Sequence, residues 1–395
     1  MKTYTYLGSD NRELRYEDRW RARWLLSVFI PLLPVLGIVG AELSGWRGLL
    51  WSPLILLYGA IPLLDRLVGT DTRNPPEEVV SQLEHEPFYR WLTYLAVPVH
   101  VGVLIACFWY AMVVAQGFWE ILPIMISLGF ASALGINTGH ELGHKGDMLE
   151  RVLAQIALAV SGYGHFRMEH NLGHHVQVAT PEDSSSARMG ESLYRFALRE
   201  IPGAARRGWR LEAARLARGG HSTWSPGNEI LQSLAITLLL QGGLVVWLGW
   251  TALPWLLFHN LWAWFQLTAV NYIEHYGLLR ERRPGGGYER CRPRHSWNSN
   301  HSVSNVLLFH LQRHSDHHAH AERRYQSLRH FDEAPQLPIG YMGMIVLSYV
   351  PGLFFRVMDP RLMAVNDGDL RRINVDPRAR ARLEARYDAE PSSPK

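Results

Sequence analysis

The chain has 395 residues, of which 19% are charged, with a net charge of +4 and a mean hydropathy of −0.09. These averages resemble those of a soluble enzyme, but the apolar residues are concentrated in blocks. Cys107 and Cys291 form no Cys-x-x-Cys pair, which excludes a zinc ribbon, a rubredoxin module or an iron–sulfur cluster within these residues. The pI of 9.1 does not indicate nucleic acid as a partner, because the basic residues flank the apolar blocks.

Six apolar blocks follow one another along the chain. Each is close to the roughly 20 residues that a helix needs to cross about 30 Å of hydrocarbon. Very short links after the first, third and fifth blocks join them into three hairpins, and tryptophans at the block ends fit a membrane interface. The blocks are residues 23–43, 48–64, 91–114, 118–136, 230–250 and 253–273.

Arginine is concentrated in the long links and in both tails, which the positive-inside rule places in the cytoplasm. The predicted fold class is all-α: a six-helix transmembrane bundle of three hairpins with a helical cytoplasmic cap. The predicted parts are a cytoplasmic N-terminal segment (1–22), a transmembrane domain (23–276) with cytoplasmic insertions (66–90 and 145–228), the cap (277–366) and a charged C-terminal tail (367–395).

Two later segments have their own predictions. Residues 339–355 are apolar but are interrupted by Pro351, which favours a re-entrant or interfacial segment over a seventh span. Residues 378–386 have a helical pattern, and residues 390–395 have the composition of a disordered end.

The 19 histidines are clustered. The clusters read TGHELGH (138–144), EHNLGHH (169–175), NYIEHYG (271–277) and LQRHSDHH (311–318). Residues four apart lie on one face of an α-helix, so the spacing pairs His140 with His144 and His170 with His174. His175 is expected about 100° away from that second pair. His314, His317 and His318 are expected on a single face.

All four clusters are predicted at the cytoplasmic ends of spans or just beyond them, so they can converge on one site. Their histidines outnumber the six positions of octahedral coordination, which indicates two metal ions, each with an open position. Imidazole suits iron, zinc, copper and nickel, so ligand type alone does not identify the metal. The predicted ligands are His140, His144, His170, His174, His175, His275, His314, His317 and His318.

Neighbouring polar side chains are expected to support the ligands. A carboxylate that accepts the free ring N–H of a ligating histidine fixes its tautomer and raises its basicity. No catalytic group is predicted beyond the ligands themselves. The supporting residues predicted are Glu141, Glu169, Glu274, Asp316 and His310.

Three other classes of protein compete with this interpretation. HELGH at 140–144 matches the HExxH motif of zinc metalloproteases, but one zinc leaves the other histidines unexplained. A transporter would carry polar groups near the middle of the membrane, whereas these lie at its edge. A carboxylate di-iron bundle would need paired Glu-x-x-His motifs and two more glutamates.

The histidine motifs resemble those of the integral-membrane alkane 1-monooxygenases, within the wider histidine-box group of desaturases and hydroxylases. The resemblance covers residues 20–365. It is carried by NTGHELGHK (137–145), HFRMEHNLGHH (165–175), NYIEHYGLL (271–279) and LLFHLQRHSDHHAH (307–320), with support from YGAIPLLD (58–65), NPPEEVV (74–80) and SWNSNHSVSN (296–305).

This resemblance implies two non-haem irons that hydroxylate the terminal methyl of a medium-chain n-alkane to a 1-alkanol with O₂. Electrons would come from rubredoxin, itself reduced by an NADH-dependent reductase, and the enzyme would lie in the bacterial inner membrane with its active site in the cytoplasm. A fatty-acyl desaturase or hydroxylase is the alternative within the same group.

Two further surfaces are predicted. An alkane has no polar group, so an apolar channel must position it, with Leu54, Leu57, Tyr58, Ile61 and Ile136 as candidate walls. A basic stretch between two histidine clusters is expected to dock an acidic electron donor or, alternatively, to bind anionic lipid. Its residues are Arg280, Arg282, Arg283, Arg290, Arg292 and Arg294.

Overall fold

Long helices make up most of the structure, a computed structural model that describes residues 1–8 and 11–387. The helices are α1 (Arg21–Ser44), α2 (Arg47–Val68), α3 (Glu77–Glu84), α4 (Pro87–Val114), α5 (Phe118–Gly143), α6 (Met148–Ala159), α7 (residues 166–177), α8 (Leu193–Arg218), α9 (Glu229–Leu248), α10 (Ala252–His275), α11 (Ser302–Leu307), α12 (His314–Ala319), α13 (Tyr341–Ser348), α14 (Pro351–Val365) and α15 (Arg380–Tyr387). Short 3₁₀ turns lie at Pro293–His295, Tyr325–Ser327 and Leu370–Arg372.

Within the described residues, five helices are long and apolar enough to cross a membrane: α1, α2, α4, α5 and α9. They correspond to the first five predicted blocks. The sixth block forms α10, which has 24 residues but carries polar side chains such as His259, Asn260 and Gln266 within its apolar sequence. The predicted six helices are therefore present, and α10 is the one whose composition departs from that of a simple span.

The N-terminal segment departs from the all-α prediction. Strands β1 (Lys2–Leu7) and β2 (Glu13–Asp18) form an antiparallel hairpin in which Tyr4 pairs with Tyr16. Tyr4 is buried against Val79 and Leu83 of α3, while most of the other strand residues are exposed. A two-stranded ribbon is only marginally stable alone, so this contact with α3 stabilises it.

Helix α5 occupies the centre of the bundle. It is the most deeply buried of the five apolar helices and packs against α4, α6 and α10. The reason lies in its sequence, which contains small residues such as Gly129, Ala131 and Gly135 and so lets neighbouring helices approach closely. The C-terminal end of α5 carries His140, so the central helix positions the first part of the site.

The segment after α10 is less helical than predicted. Most of residues 277–340 are loops and turns, with only α11 and α12 as short helices. Residues 339–355 form two helices, α13 and α14, separated at Tyr349 and Val350, because Pro351 begins the second one. The break lies where Pro351 was expected to interrupt the segment, and a re-entrant or interfacial position for these residues stays a prediction.

The tail folds back onto the protein as far as the structure describes it. Ile373, Val375 and Leu383 are buried, and the predicted helix at 378–386 is found as α15. Asn374 N–H donates to the Gly277 carbonyl over 2.9 Å, which attaches the tail next to the end of α10. The prediction for residues 390–395 lies outside the described residues.

Candidate metal centre

The first histidine pair lies at the end of α5. His140 is in the last turn of the helix and His144 follows one turn later, with ring centroids 5.0 Å apart. Both residues point toward the same space, as their four-residue spacing predicts.

The second histidine group lies on a π-helical turn. Helix α7 contains three pieces, of which the middle one, His170–His174, is π-helical. A π-turn brings residues five apart into register, so His170 is next to His175, with their Nε2 atoms 3.0 Å apart. His174 points elsewhere, and the predicted pairing of His170 with His174 is wrong because it assumed α-helical geometry.

Gly173 permits this turn to pack against α8. A Cβ at position 173 would lie 2.9 Å from Nε of Arg207 and 3.0 Å from a methyl group of Leu211. Arg207 and Leu211 of α8 therefore pack directly against this turn, and a side chain at position 173 would displace them.

The third group, on α12, is divided in the same way. His317 Nε2 lies 2.8 Å from His140 Nε2 and 3.1 Å from His175 Nε2. His318 Nε2 instead lies 3.0 Å from His314 Nε2. The expectation that these three histidines serve one face is therefore wrong, since adjacent residues of α12 contribute to different groups.

His275, the last residue of α10, completes the arrangement. Its side chain is fully buried, and neither ring nitrogen has a hydrogen-bond partner among the described residues. Its ring centroid lies 4.8 Å from that of His174 and 5.2 Å from those of His314 and His318.

The nine predicted ligands thus form two groups. The five-histidine group contains His140, His144, His170, His175 and His317, and the four-histidine group contains His174, His275, His314 and His318. In each group, one nitrogen per ring lies within 4.8 Å of all the others. Imidazole nitrogens bind a metal at about 2.1 Å, so neighbouring ligands of one ion lie roughly 3 Å apart. The observed Nε2 separations therefore suit a metal ion at the centre of each group.

The electrostatics of the cluster also favour metal binding. Burial, with a smaller contribution from neighbouring histidines, holds the pKa of His170, His317 and His318 well below its ordinary value. These imidazoles are therefore neutral near pH 7, which is the form that has a free lone pair for a metal.

Of the four carboxylates predicted to support the ligands, only Glu274 lies beside a ligand histidine. Glu274 Oε2 lies 3.3 Å from His314 Nε2, on the side of the ring that faces the other histidines. The other three carboxylates contact cations instead of histidine rings: Glu141 pairs with Lys145, Glu169 with Arg207 and Asp316 with Arg323.

His310 lies away from both groups. Its Nδ1 is 3.0 Å from the Tyr325 carbonyl, and its ring packs edge-on against Trp24 with centroids 4.6 Å apart. It therefore joins the ligand-bearing segment to the start of α1.

Asp183 is a supporting residue that the sequence analysis missed. Its Oδ2 accepts a hydrogen bond from His174 Nδ1 over 2.9 Å and another from Ser186 Oγ over 2.7 Å. Its Oδ1 accepts from Arg207 over 2.7 Å. Burial alone raises the pKa of Asp183, but His174 and Arg207 outweigh it and hold that pKa well below its ordinary value. The ionised carboxylate fixes the tautomer in which His174 Nε2 faces the four-histidine group.

The candidate channel residues are mostly buried. Leu57 and Ile61 of α2 belong to a hydrophobic cluster with Phe130 and Leu134 of α5, and Tyr58 packs against it. Leu54 is half-buried. Ile136 lies in a different cluster with Phe166, whose ring stacks on that of His170 with centroids 4.8 Å apart. The candidate residues of α2 therefore pack against α5, and Ile136 is the one connected to a histidine ring, through Phe166.

Most of the candidate docking arginines already form hydrogen bonds or ion pairs within the protein. Arg280 is buried and donates to the Val176 carbonyl over 2.6 Å, beside His175. Exposed Arg282 forms an ion pair with Glu182, and exposed Arg292 and half-buried Arg294 form ion pairs with Glu289. Arg283 and Arg290 are exposed and form no ion pair within the described part of the chain.

Known proteins with the same sequence pattern identify the family. A family model of fatty acid desaturases matches residues 117–348, a range that contains all nine histidines. Alkane 1-monooxygenase 1 of Alcanivorax borkumensis is 48% identical over 386 residues, covering 97% of this chain and 95% of that protein. The alkane 1-monooxygenase of Pseudomonas putida is 50% identical over 366 residues, covering 93% of this chain and 91% of that protein. That of Ectopseudomonas oleovorans is 50% identical over 361 residues, covering 91% and 90%.

The chain belongs to the alkane 1-monooxygenase family. Membership confirms the resemblance drawn from the histidine motifs, and it makes the chain an enzyme. The desaturase match places the alkane 1-monooxygenase family within the wider histidine-box group, whose clusters suggest a non-haem metal site. Together with the five apolar helices, it also supports a membrane protein.

Proposed function

We propose that this enzyme hydroxylates the terminal methyl group of medium-chain n-alkanes to 1-alkanols, with O₂ as oxidant and two non-haem irons as cofactor. The observation that carries the proposal is the pair of histidine groups at the ends of α5 and α10. Fully histidine-lined groups of this size fit iron, and relatives at about half identity are alkane 1-monooxygenases.

Each histidine group would hold one iron. The five-histidine group would bind its ion through nitrogen alone, and the four-histidine group has Glu274 close enough to add an oxygen ligand. Bound iron would supply the activation of O₂ and the insertion of one oxygen atom into a C–H bond, with the second atom released as water. The protein holds the imidazoles neutral, fixes their orientation and buries them away from water.

The two irons are expected to lie farther apart than in carboxylate-bridged sites. Such bridges give separations of about 3.5–4 Å. In the described structure Asp183 contacts a histidine only at His174 and Glu274 only at His314, so neither carboxylate joins the two groups. X-ray absorption of the resting enzyme should therefore lack a short iron–iron vector, and a clear vector below about 4 Å would contradict this assignment.

The substrate would lie against the apolar side chains of α2. An alkane offers nothing to hydrogen-bond, so its position depends on the shape of the walls. Leu57→Phe enlarges a buried side chain and should shift the preferred alkane to shorter chains, measured as product distribution from mixed n-alkanes. Ile55→Phe is the matched control, since Ile55 on the same helix is 67% exposed and faces away from the core. An equal shift in both variants would argue against this channel.

Electrons would arrive from reduced rubredoxin, itself reduced by an NADH-dependent reductase. The loop that carries Arg283 and Arg290 is joined to the site through Arg280, whose guanidinium binds the carbonyl next to His175. Reversing both exposed charges with Arg283→Glu and Arg290→Glu should slow rubredoxin-dependent turnover in a salt-sensitive way, with iron content unchanged. Arg206→Glu on α8 is the control. Unchanged donor kinetics would favour the alternative role of this loop at anionic lipid.

The orientation in the bacterial inner membrane would place both termini and the histidine groups in the cytoplasm. Reporter fusions at the two termini test this orientation directly. A periplasmic signal at either terminus would overturn it.

The decisive experiment combines metal analysis with product analysis. Purified enzyme with two irons per chain that converts n-octane to 1-octanol with reduced rubredoxin would establish the proposed function. Two irons with an alkene product, or with activity only on fatty-acyl chains, would support the desaturase alternative within the same histidine-box group. One zinc and no alcohol would instead support the HExxH protease.

A further inference from the structure

A small polar group lies among apolar side chains where α2, α10 and the α13–α14 junction meet. Tyr58 and Tyr349 both direct their hydroxyl groups at Gln266 Oε1, over 2.9 Å and 2.8 Å. Gln266 is only 1% exposed, and Tyr58 packs edge-on against Phe130 with ring centroids 5.5 Å apart. A polar group in such surroundings is costly unless its hydrogen bonds are made.

One end of the Gln266 amide is unpartnered. Its Nε2 is buried and has no hydrogen-bond partner among the described residues. If the amide is rotated by 180°, the two tyrosines bind the nitrogen and the oxygen becomes the unpartnered atom. In either orientation a buried polar atom remains free, and such an atom in a folded protein calls for an explanation, such as an ordered water or another bound group.

A second unpartnered donor lies one helical turn away. Trp262 precedes Gln266 by four positions, so both lie on the same face of α10. The indole Nε1 of Trp262 is buried and also has no partner in the described part of the chain. The Trp262 ring lies 6.5 Å from that of Tyr349, which places it beside the same polar group.

The position of the Trp262 indole is fixed by its neighbours. A Cβ at Gly129 of α5 would lie only 2.6 Å from Cδ1 of Trp262, so the glycine makes room for the ring. Phe258 and Phe265 stack on the two sides of Trp262, with centroids 6.5 Å and 5.6 Å away. The ring therefore cannot turn easily to find another acceptor.

From these contacts we infer that Trp262, Gln266, Tyr58 and Tyr349 form a binding site for the hydroxyl group of a long-chain primary alcohol. A hydroxyl both donates and accepts, so it satisfies the indole N–H and either orientation of the amide. The aromatic rings and the apolar side chains of α2 suit a hydrocarbon tail. The inference rests on the proposed function, in which such an alcohol is the product.

The location suits a product on its way out of the enzyme. Gln266 precedes His275 by nine positions on α10, which corresponds to about 13 Å along the helix. An alcohol formed at the histidines has a polar end that the apolar channel does not bind. A hydroxyl site at this distance would hold the product away from the metal centre while its tail leaves between the aromatic side chains.

Equilibrium binding of tritiated 1-octanol and tritiated n-octane to the purified full-length enzyme without an electron donor, measured by scintillation proximity, tests this site. Trp262→Phe removes the unpartnered donor together with part of the ring, and it keeps an aromatic side chain in the stack. We expect it to weaken 1-octanol binding about five-fold, with n-octane binding unchanged. Gln266→Leu should weaken 1-octanol binding at least as much.

Trp264→Phe is the matched control, because the Trp264 indole already donates to the Ser161 carbonyl over 2.8 Å. Unchanged 1-octanol affinity in both Trp262→Phe and Gln266→Leu, or an equal loss of n-octane affinity, would overturn the site. Since the assay needs no turnover, failure of the site is distinguishable from failure of the proposed activity. Selective 1-octanol binding in a protein that does not oxidise n-octane would leave the site standing and reject the proposed function.

Discussion

The two histidine groups differ in what surrounds them. In the four-histidine group, Asp183 binds the ring of His174 and Glu274 lies beside His314. In the five-histidine group, no described contact joins a carboxylate to a ring. Negative charge next to ligands stabilises a bound cation and its oxidised form. The two positions are therefore chemically unequal, and an ion in the four-histidine group should be held by charge as well as by nitrogen.

The largest effect that separates the two groups is expected from neighbouring residues of α12. His317→Ala and His318→Ala should each abolish turnover, and each should lower the metal content from about two ions to about one per chain. Because the two side chains serve different groups, the lost ion should differ between the variants. Mössbauer spectra of ⁵⁷Fe-loaded protein should show that a different iron signal disappears in each. Loss of the same signal in both would reject the division into two groups.

Removing the charge on Asp183 should affect the four-histidine group selectively. Asp183→Asn keeps the size of the side chain but loses the ionised acceptor of the His174 ring, and we expect metal affinity at that group to fall about 10- to 100-fold. Competition with a chelator, followed by iron analysis, measures the change. Asp376→Asn is the control, since Asp376 is a buried carboxylate paired with Arg195 away from the histidines. An equal loss of both irons in Asp183→Asn would contradict the selectivity.

A smaller effect is expected at Arg207, which joins Glu169 and Asp183 from α8. Arg207→Lys keeps the charge but cannot bind both carboxylates and Gln177 at once. Because Asp183 keeps its bond from Ser186, metal retention should weaken only about five-fold. The same chelator assay applies. A loss larger than that of Asp183→Asn would mean that Arg207 acts on the site by another route.

A separate effect, on stability rather than on metal binding, concerns pH and the buried carboxyl of Glu200 on α8. Burial raises its pKa to about 7, with Thr268 and Asn271 hydrogen-bonded to it. A carboxyl with a raised pKa in the folded state stabilises the protein at low pH and loses that contribution as the pH rises through 7. At about 1.4 kcal/mol per pH unit between the unfolded and folded values, the loss is about 3 kcal/mol.

Glu200→Gln tests that contribution. The variant imitates the neutral carboxyl, so its stability should fall less than that of the native protein between pH 5 and pH 8. Thermal unfolding of both proteins across this range measures the difference. Parallel curves would show that Glu200 does not titrate in the folded state.

The sequence predicted which histidines come together better than it predicted how they are arranged. Apolar blocks and histidine spacing identified the helices and all nine histidines, because periodicity and residue type are local properties. The division into groups was missed, since the sequence analysis assumed α-helical spacing where residues His170–His174 form a π-turn. Asp183 was missed because it lies in a loop, where no regular spacing predicts which histidine a carboxylate will contact.

The N-terminal hairpin was missed for a different physical reason. Its residues alternate, but the segment is short and polar, and its stability comes from burial of Tyr4 against α3. Conversely, α10 was correctly predicted as a helix even though its polar residues make it less apolar than the other blocks. Its polar side chains, such as Gln266, were not used in the sequence prediction, because the block was interpreted only as a span.

The π-turn in α7 makes the site sensitive to local helix geometry as well as to residue type. A π-turn accommodates one residue more than the α-helical turn it replaces. If the same residues wound as an ordinary α-helix, every later side chain would rotate by about 100° relative to the earlier ones. His174 would then lie beside His170 in place of His175, although no histidine had been lost. The type of helix between the ligands of the second cluster therefore matters as much as the ligands themselves.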